Sequence, residues 1–135
     1  MENKIHVEIV TPTGSALDIH AESITIPGTL GGFQVLYNHA PLLSSFEIGV
    51  VKIKSDGNET RYATSGGTVE VKNNHVIVLA ETFESEEEID VERAKAAYRR
   101  AKERLEKREK NIDIARAEAA LARAINRLKL KNVNL

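Results

Sequence analysis

Residues 89–135 contain neither glycine nor proline, and this divides the chain in two. Ala, Glu, Lys, Arg and Leu dominate the segment, all residues that lose little freedom on entering a helix. The preceding residues are rich in Val, Ile and Thr, and they hold all 8 glycines and all 3 prolines. The expected organisation is therefore mixed β then α: a β module over residues 1–87 and a helical extension over residues 88–135. Charge divides at the same place. Residues 1–88 hold 5 Lys+Arg against 13 Asp+Glu, and residues 89–135 hold 14 against 7. An acidic head and a basic tail attract each other, or the tail meets an acidic partner.

Several function classes are disfavoured by the same residues. The tail has one aromatic, Tyr98, and its charges alternate in sign, so no nucleic-acid partner is expected. The chain has no cysteine, hence no disulfide scaffold and no thiolate metal site. No N-terminal signal pattern and no apolar run of membrane-spanning length is present, so any membrane association is expected to run through a partner.

Residues 4–10 alternate, with Ile5, Val7 and Ile9 on one face and Lys4, His6 and Glu8 on the other, as in a half-buried strand. Thr11-Pro12-Thr13-Gly14 reads as a turn. Further strands are expected over residues 24–26, 33–36, 48–54, 60–64, 68–72 and 75–80. Turns are expected at Pro27-Gly28, at Gly31-Gly32, around Asp56-Gly57, at Ser65-Gly66-Gly67 and at Asn73-Asn74. Residues 75–80 are nearly all apolar, which predicts burial on both sides. Short strands with regularly spaced turns indicate a sandwich or flattened barrel.

Ser85 and Glu88 fit a capping box that opens the first helix. Ala94, Ala97, Tyr98, Ala101 and Leu105 then recur at helical spacing. Lys110-Asn111-Ile112-Asp113 reads as a turn, with Asp113 or Asn111 capping a second helix. That helix carries Ile114, Ala117, Leu121, Ala124, Ile125 and Leu128 on one stripe. Two helices joined by a tight link form an antiparallel hairpin. A seam made mostly of alanine buries little area, so the hairpin should be marginal unless something holds it.

No phosphate-binding glycine loop, His-Glu-x-x-His motif or serine nucleophile elbow is present. His6, His20, His39 and His75 fall on separate strands and loops with no metal-ligand spacing, and no metal is expected. With only 3 Phe and 3 Tyr, a sugar-binding or enzymatic sandwich is disfavoured. On these residues alone, a free-standing adaptor or chaperone that grips other proteins with its hairpin remains open.

Four segments in order carry a resemblance. They are Pro27-Gly28-x-x-Gly31 through Asn38-His39-Ala40-Pro41-Leu42; Ser65-Gly66-Gly67-x-Val69-Glu70-Val71 with the apolar run after it; Ile89-Asp90-Val91-Glu92-Arg93-Ala94; and Arg116-Ala117 through Arg123-Ala124-x-Asn126-Arg127-Leu128. Together they resemble the epsilon subunit of bacterial F-type ATP synthase (delta in mitochondria) over essentially the whole chain. One departure is that Tyr37-Asn38 stand where the family commonly has Pro-Gly before the histidine.

The resemblance implies a non-catalytic rotor subunit that needs no cofactor. It implies an N-terminal β-sandwich of about ten strands that binds the gamma shaft and rests on the c-ring, coupling proton translocation to ATP synthesis. The loop bearing Gly31, Gly32 and His39 is the implied c-ring contact. The C-terminal antiparallel two-helix hairpin folds against the sandwich, or extends toward the alpha and beta subunits and blocks ATP hydrolysis. Arg99, Arg100, Arg104, Lys107 and Arg108 are candidates for contact with beta subunits; alternatively they form a solvated face laced by pairs such as Glu103 with Lys107. Some bacterial members bind ATP between the helices, and the matching residues here are Ile89, Asp90, Arg93, Ala94, Arg123 and Arg127. Guanidinium groups suit phosphate oxygens, and a carboxylate suits an adenine amine or ribose hydroxyl. ATP would then be a regulatory ligand, bound and not hydrolysed. The alternative is that Asp90 only caps a helix and the arginines are solvated. The implied location is peripheral, on the cytoplasmic face of the bacterial plasma membrane.

Overall fold

The computed structural model describes residues 3–107 and 112–134. Arg108, Lys110 and Asn111, named above, lie outside the described residues. The head has ten strands: β1 (Ile5–Thr11), β2 (Gly14–Ala21), β3 (Ser23–Ile26), β4 (Phe33–Val35), β5 (Leu42–Phe46), β6 (Gly49–Ser55), β7 (Asn58–Thr64), β8 (Gly67–Lys72), β9 (His75–Ala80) and β10 (Phe83–Ser85). They form two five-stranded sheets, ordered β2-β1-β9-β8-β5 and β10-β7-β6-β3-β4. The first strand pairs antiparallel with β2 and parallel with β9, so β1 and β9 join distant parts of the chain.

Alternation along each strand decides which side faces in. Ile5, Val7 and Ile9 of β1, Val51 and Ile53 of β6, Val69 and Val71 of β8, and Val76 and Val78 of β9 all point into one core with Ile24, Ile26 and Val35. The turns follow local chemistry. Asp56-Gly57 and Asn73-Asn74 take positive φ at both central residues, the type I′ geometry that matches the twist of a two-residue hairpin.

Two expectations fail here. The strand over residues 75–80 is not buried on both sides: Val76, Val78 and Ala80 face the core, while Leu79 is 52% exposed. On its outer face Glu8 and Glu70 flank the half-buried Ile77. The Ser85–Glu88 box forms as expected, the Ser85 amide donating to Glu88 Oε1 (2.9 Å) and the Glu88 amide to Ser85 Oγ (3.3 Å). It closes only a turn, however. Ile89 is then buried against Ala63 and Leu130, and the helix begins afterwards, α1 (Val91–Lys107), with Asp90 accepting from the Arg93 amide at 3.1 Å.

The Ser85 amide, and then its hydroxyl, hold the exposed Glu88 carboxyl below its ordinary range. The folded value is depressed, so this contribution is present above the unfolded value and is lost as pH falls through the folded one. Ser85→Ala keeps the amide and should raise the Glu88 midpoint only part of the way, as read by carboxyl-carbon NMR titration. An unchanged midpoint would assign the effect to the amide alone.

Candidate functional site: the docked hairpin

The second helix, α2 (Ile114–Leu130), starts at Asp113, whose carboxylate accepts from the Arg116 amide at 3.1 Å. The two helices run antiparallel along a seam of small side chains, with Ala94 and Ala101 of α1 and Ala117 and Ala124 of α2 buried. Leu128 and Leu130 add bulk only at the end of α2. The seam is thus mostly alanine, as the spacing predicts, but Ile114 is 40% exposed and falls outside it.

The hairpin lies against the second sheet through α2. Ile89 and Leu130 meet Ala63 of β7 and Val50 of β6, a small apolar contact. Two polar contacts flank it. The Asn126 side-chain amide donates to the Gly49 carbonyl at 2.7 Å, and Arg127 Nε donates to Glu84 Oε1 at 2.5 Å. The second contact links the basic tail to the acidic end of the head, an attraction the charge split anticipates.

The residues singled out for nucleotide divide between these contacts. Ile89 and Ala94 are buried packing residues. Asp90 caps α1, which is the alternative role stated for it. Arg93 is exposed. Arg127 is held by Glu84. Arg123, one turn earlier on the same face, lies beside Asn126 and Arg127 along a crevice too narrow for a water molecule, against Thr64, Ser65 and Thr82. On its other side it borders an open hollow of about 660 Å³ with Arg104, Arg116 and Asp113. Among the beta-contact candidates, Arg99, Arg100 and Arg104 are exposed, and Lys107 bonds Glu103 at 2.7 Å, the pairing named as the alternative. The sequence gives no site role to Glu84, to Gly49 or to Asn126, which appears only within the fourth motif. The acidic run ahead of a basic tail was a signal for Glu84, whereas nothing local marks an amide that reaches a carbonyl 77 positions away.

Gly31 and Gly32 precede β4 and His39 follows it, so the expected single loop is two loops at the two ends of that strand: the first lies beside residues 45–47, with Thr29 and Pro27 bonded to Ser45 and Glu47, and the second beside Asn74. Leu30, Leu36, Tyr37 and Leu43 are exposed in or next to these loops, Leu30 completely. Asn38 adopts φ +66, the left-handed conformation for which glycine is otherwise favoured, and its amide donates to Asn74 Oδ1 at 2.6 Å. Asparagine therefore serves where the expected family pattern has glycine. His39 Nδ1 lies 2.6 Å from the Ala40 carbonyl.

Comparison with known proteins agrees with this architecture. Residues 4–86 match the ATP synthase delta/epsilon chain β-sandwich domain, and residues 87–132 match the long α-helix domain of the same chain. The ATP synthase epsilon chain of Desulfitobacterium hafniense strain Y51 is 46% identical over 109 residues, 81% of this chain and 83% of that one. This chain belongs to the ATP synthase delta/epsilon family. The epsilon chain of Carboxydothermus hydrogenoformans is likewise 46% identical over 108 residues, covering 80% of this chain and 81% of its own. A chain of the Euglena gracilis mitochondrial ATP synthase superposes with TM-score 0.78 over 90% of this chain and 78% of that one; at 22% identity it bears on the fold.

As a member of the delta/epsilon family, the protein is a non-catalytic, epsilon-type subunit of ATP synthase, itself a membrane-associated complex. No helix among its described residues is long and apolar enough to cross a membrane.

Proposed function

We propose that this chain is the central-stalk subunit whose head binds a gamma-type shaft and rests on the c-ring through the loops on either side of β4 that bear Gly31, Gly32 and His39, at the cytoplasmic face of a bacterial plasma membrane. In this reading the hairpin of residues 88–135 is regulatory: it leaves the head, extends toward the alpha and beta subunits, and inhibits ATP hydrolysis. One observation carries it. The hairpin is fastened by a small apolar contact and two polar ones, Asn126 to Gly49 and Arg127 to Glu84. Water can replace both polar partners once the helices lift, so release costs little. The exposed guanidinium groups of Arg99, Arg100 and Arg104 are then available to an acidic surface. The reading is tested by mixing the purified chain with a gamma-type shaft: a stable complex retained by the head alone supports it, and failure of the full chain to associate refutes it.

ATP binding at the hairpin extends this reading. Arg123 and Arg127 would take phosphate oxygens, with Arg93 and Asp90 at the facing end of α1 beside Ile89 and Ala94. The crevice along Arg123 and Arg127 is too narrow to hold a ligand in the docked form, and Glu84 holds Arg127. A nucleotide would therefore have to draw Arg127 from Glu84. Replacing Arg123 or Arg127 by alanine should weaken MgATP at least roughly tenfold, the scale of one hydrogen bond to a charged group. Asp90→Asn separates the two roles of that residue. Asparagine caps a helix as well as aspartate does, so stability should hold while any charge-dependent nucleotide contact is lost. Calorimetry that finds equal affinity in all three variants would remove the site.

A further inference from the structure

The outer face of the first sheet holds a group of side chains to which the proposed function assigns no role. His6 stands opposite His20 on β2 and His75 on β9. The three imidazoles form one stack across three strands. Ring centroids are 4.8 Å apart for His6 and His20 and 4.5 Å for His6 and His75, with the latter two rings 2° from parallel. Two residues along, on the same face, β2 and β1 carry acids that are register partners, Asp18 next to His20 and Glu8 next to His6. His75 Nε2 lies 2.6 Å from Glu8 Oε1, and His6 Nε2 lies 2.6 Å from Asp18 Oδ1. One coordinating atom from each of His6, Glu8 and His75 falls within 4.8 Å of the other two, and all three residues are half-buried.

We propose that His6, His75 and Glu8 bind a divalent transition cation of the zinc class. Two imidazoles and a carboxylate are a ligand set such ions favour, with water completing a tetrahedron. Bonds of about 2.1 Å place tetrahedral ligand atoms roughly 3.4 Å apart, so Glu8 Oε1 and His75 Nε2, 2.6 Å apart, open by just under an ångström while separations of up to 4.8 Å close, through small side-chain rotations on a fixed backbone. The sheet supplies that fixed backbone, since all three residues sit at directly paired register positions. Glu8 neutralises one charge of the ion, and Asp18, held on His6, lies close enough to offset the second. Lys72, the register partner of His75 on β8, is the nearby cation that opposes binding. The bound ion would tie β1 to β9 between residues 67 apart in sequence.

The test uses the purified full-length chain and zinc sulfate alone. Titration calorimetry at neutral pH should give one ion per chain with micromolar affinity. Imidazole nitrogen NMR of the same sample should move the His6 and His75 signals and leave His39 unmoved. His75→Ala and Glu8→Gln should each weaken binding roughly tenfold or more, while His39→Ala leaves it unchanged. No saturable uptake below millimolar zinc overturns the proposal. So does uptake whose NMR shifts fall on His39, or uptake of wild-type strength in both variants. The NMR arm needs no variant, so a substitution that impairs folding leaves the outcome decided.

Discussion

Removal of residues 88–135 is expected to leave a folded head and to raise ATP hydrolysis by the reassembled complex. The structural half of this expectation rests on where the core lies. The main core is built from β1, β3, β4, β5, β6, β8 and β9 with Ala21, and no residue of the hairpin belongs to it. The truncated head loses the cover of Ile89 and Leu130 over Ala63 and Val50 and the exposed Ser85–Glu88 turn bonds, while the Gly49 carbonyl and the Glu84 carboxylate exchange Asn126 and Arg127 for water. The melting transition of the head should therefore stay cooperative. The functional half rests on population arithmetic. If the extended hairpin inhibits, activity rises by the reciprocal of the uninhibited fraction: roughly twofold if half the complexes are blocked, and roughly tenfold if nine-tenths are. Steady-state hydrolysis by complexes carrying full-length and truncated subunits measures this directly. Equal rates would leave the hairpin without an inhibitory role and would not touch the assignment of the head.

The largest loss of stability is expected at Gly67. An added Cβ there would sit 1.9 Å from the Leu79 carbonyl oxygen, 2.9 Å from the carbonyl carbon and 3.0 Å from the Phe46 ring. Two of those neighbours are backbone atoms of β9, and Gly67 pairs with both Ala80 and Phe46, so neither side can yield without breaking a ladder. Gly67→Ala should cost about 3 kcal/mol or more, among the severe single substitutions. For a head of this size that corresponds to a fall of roughly 10–20 °C in melting midpoint. Gly57→Ala is the comparison, because Gly57 has φ +81 but nothing within 4 Å of an added Cβ. It should cost only the left-handed penalty of about 1 kcal/mol. Thermal melts of both variants decide the matter, and equal midpoints would remove the steric account.

The parts of this fold that the sequence announces are those settled by neighbours along the chain. Asp56-Gly57 and Asn73-Asn74 predict their own turns because positive φ is a property of those residues. The alternation of Ile5, Val7 and Ile9 predicts its own burial. The i,i+4 spacing of Arg123 and Arg127 places them on one helix face. Three strands were not anticipated. β2 opens with Gly14-Ser15-Ala16, weak strand formers, and lies at a sheet edge where Leu17 and Ile19 are only half-buried. β5 follows Pro41 and alternates its apolar residues with serines, and β10 has three residues. The histidines show the limit most clearly. In sequence they fall on separate strands, yet three of them share one row, because the register that aligns β1 with β2 and β9 is a property of the whole sheet. The docking of Asn126 on Gly49 is hidden for the same reason. In contrast, the glycine pair at residues 66–67, visible as a motif, finds its cause only in the carbonyl of Leu79.

The parallel pairing of β1 with β9 also orders the making of the protein in time. Once translated, β1 can pair with β2 as soon as that strand follows, but its other edge waits until residues 75–80 have been made. Until then the nascent head exposes an unpaired strand edge and an unfinished apolar face, the features that invite wrong association. The hairpin has the opposite schedule: its contacts are largely between neighbours in sequence, and it emerges when the sheet that receives it is already closed. A chain halted before β9 should therefore be sticky and protease-sensitive, whereas one halted after β10 should already be a finished platform.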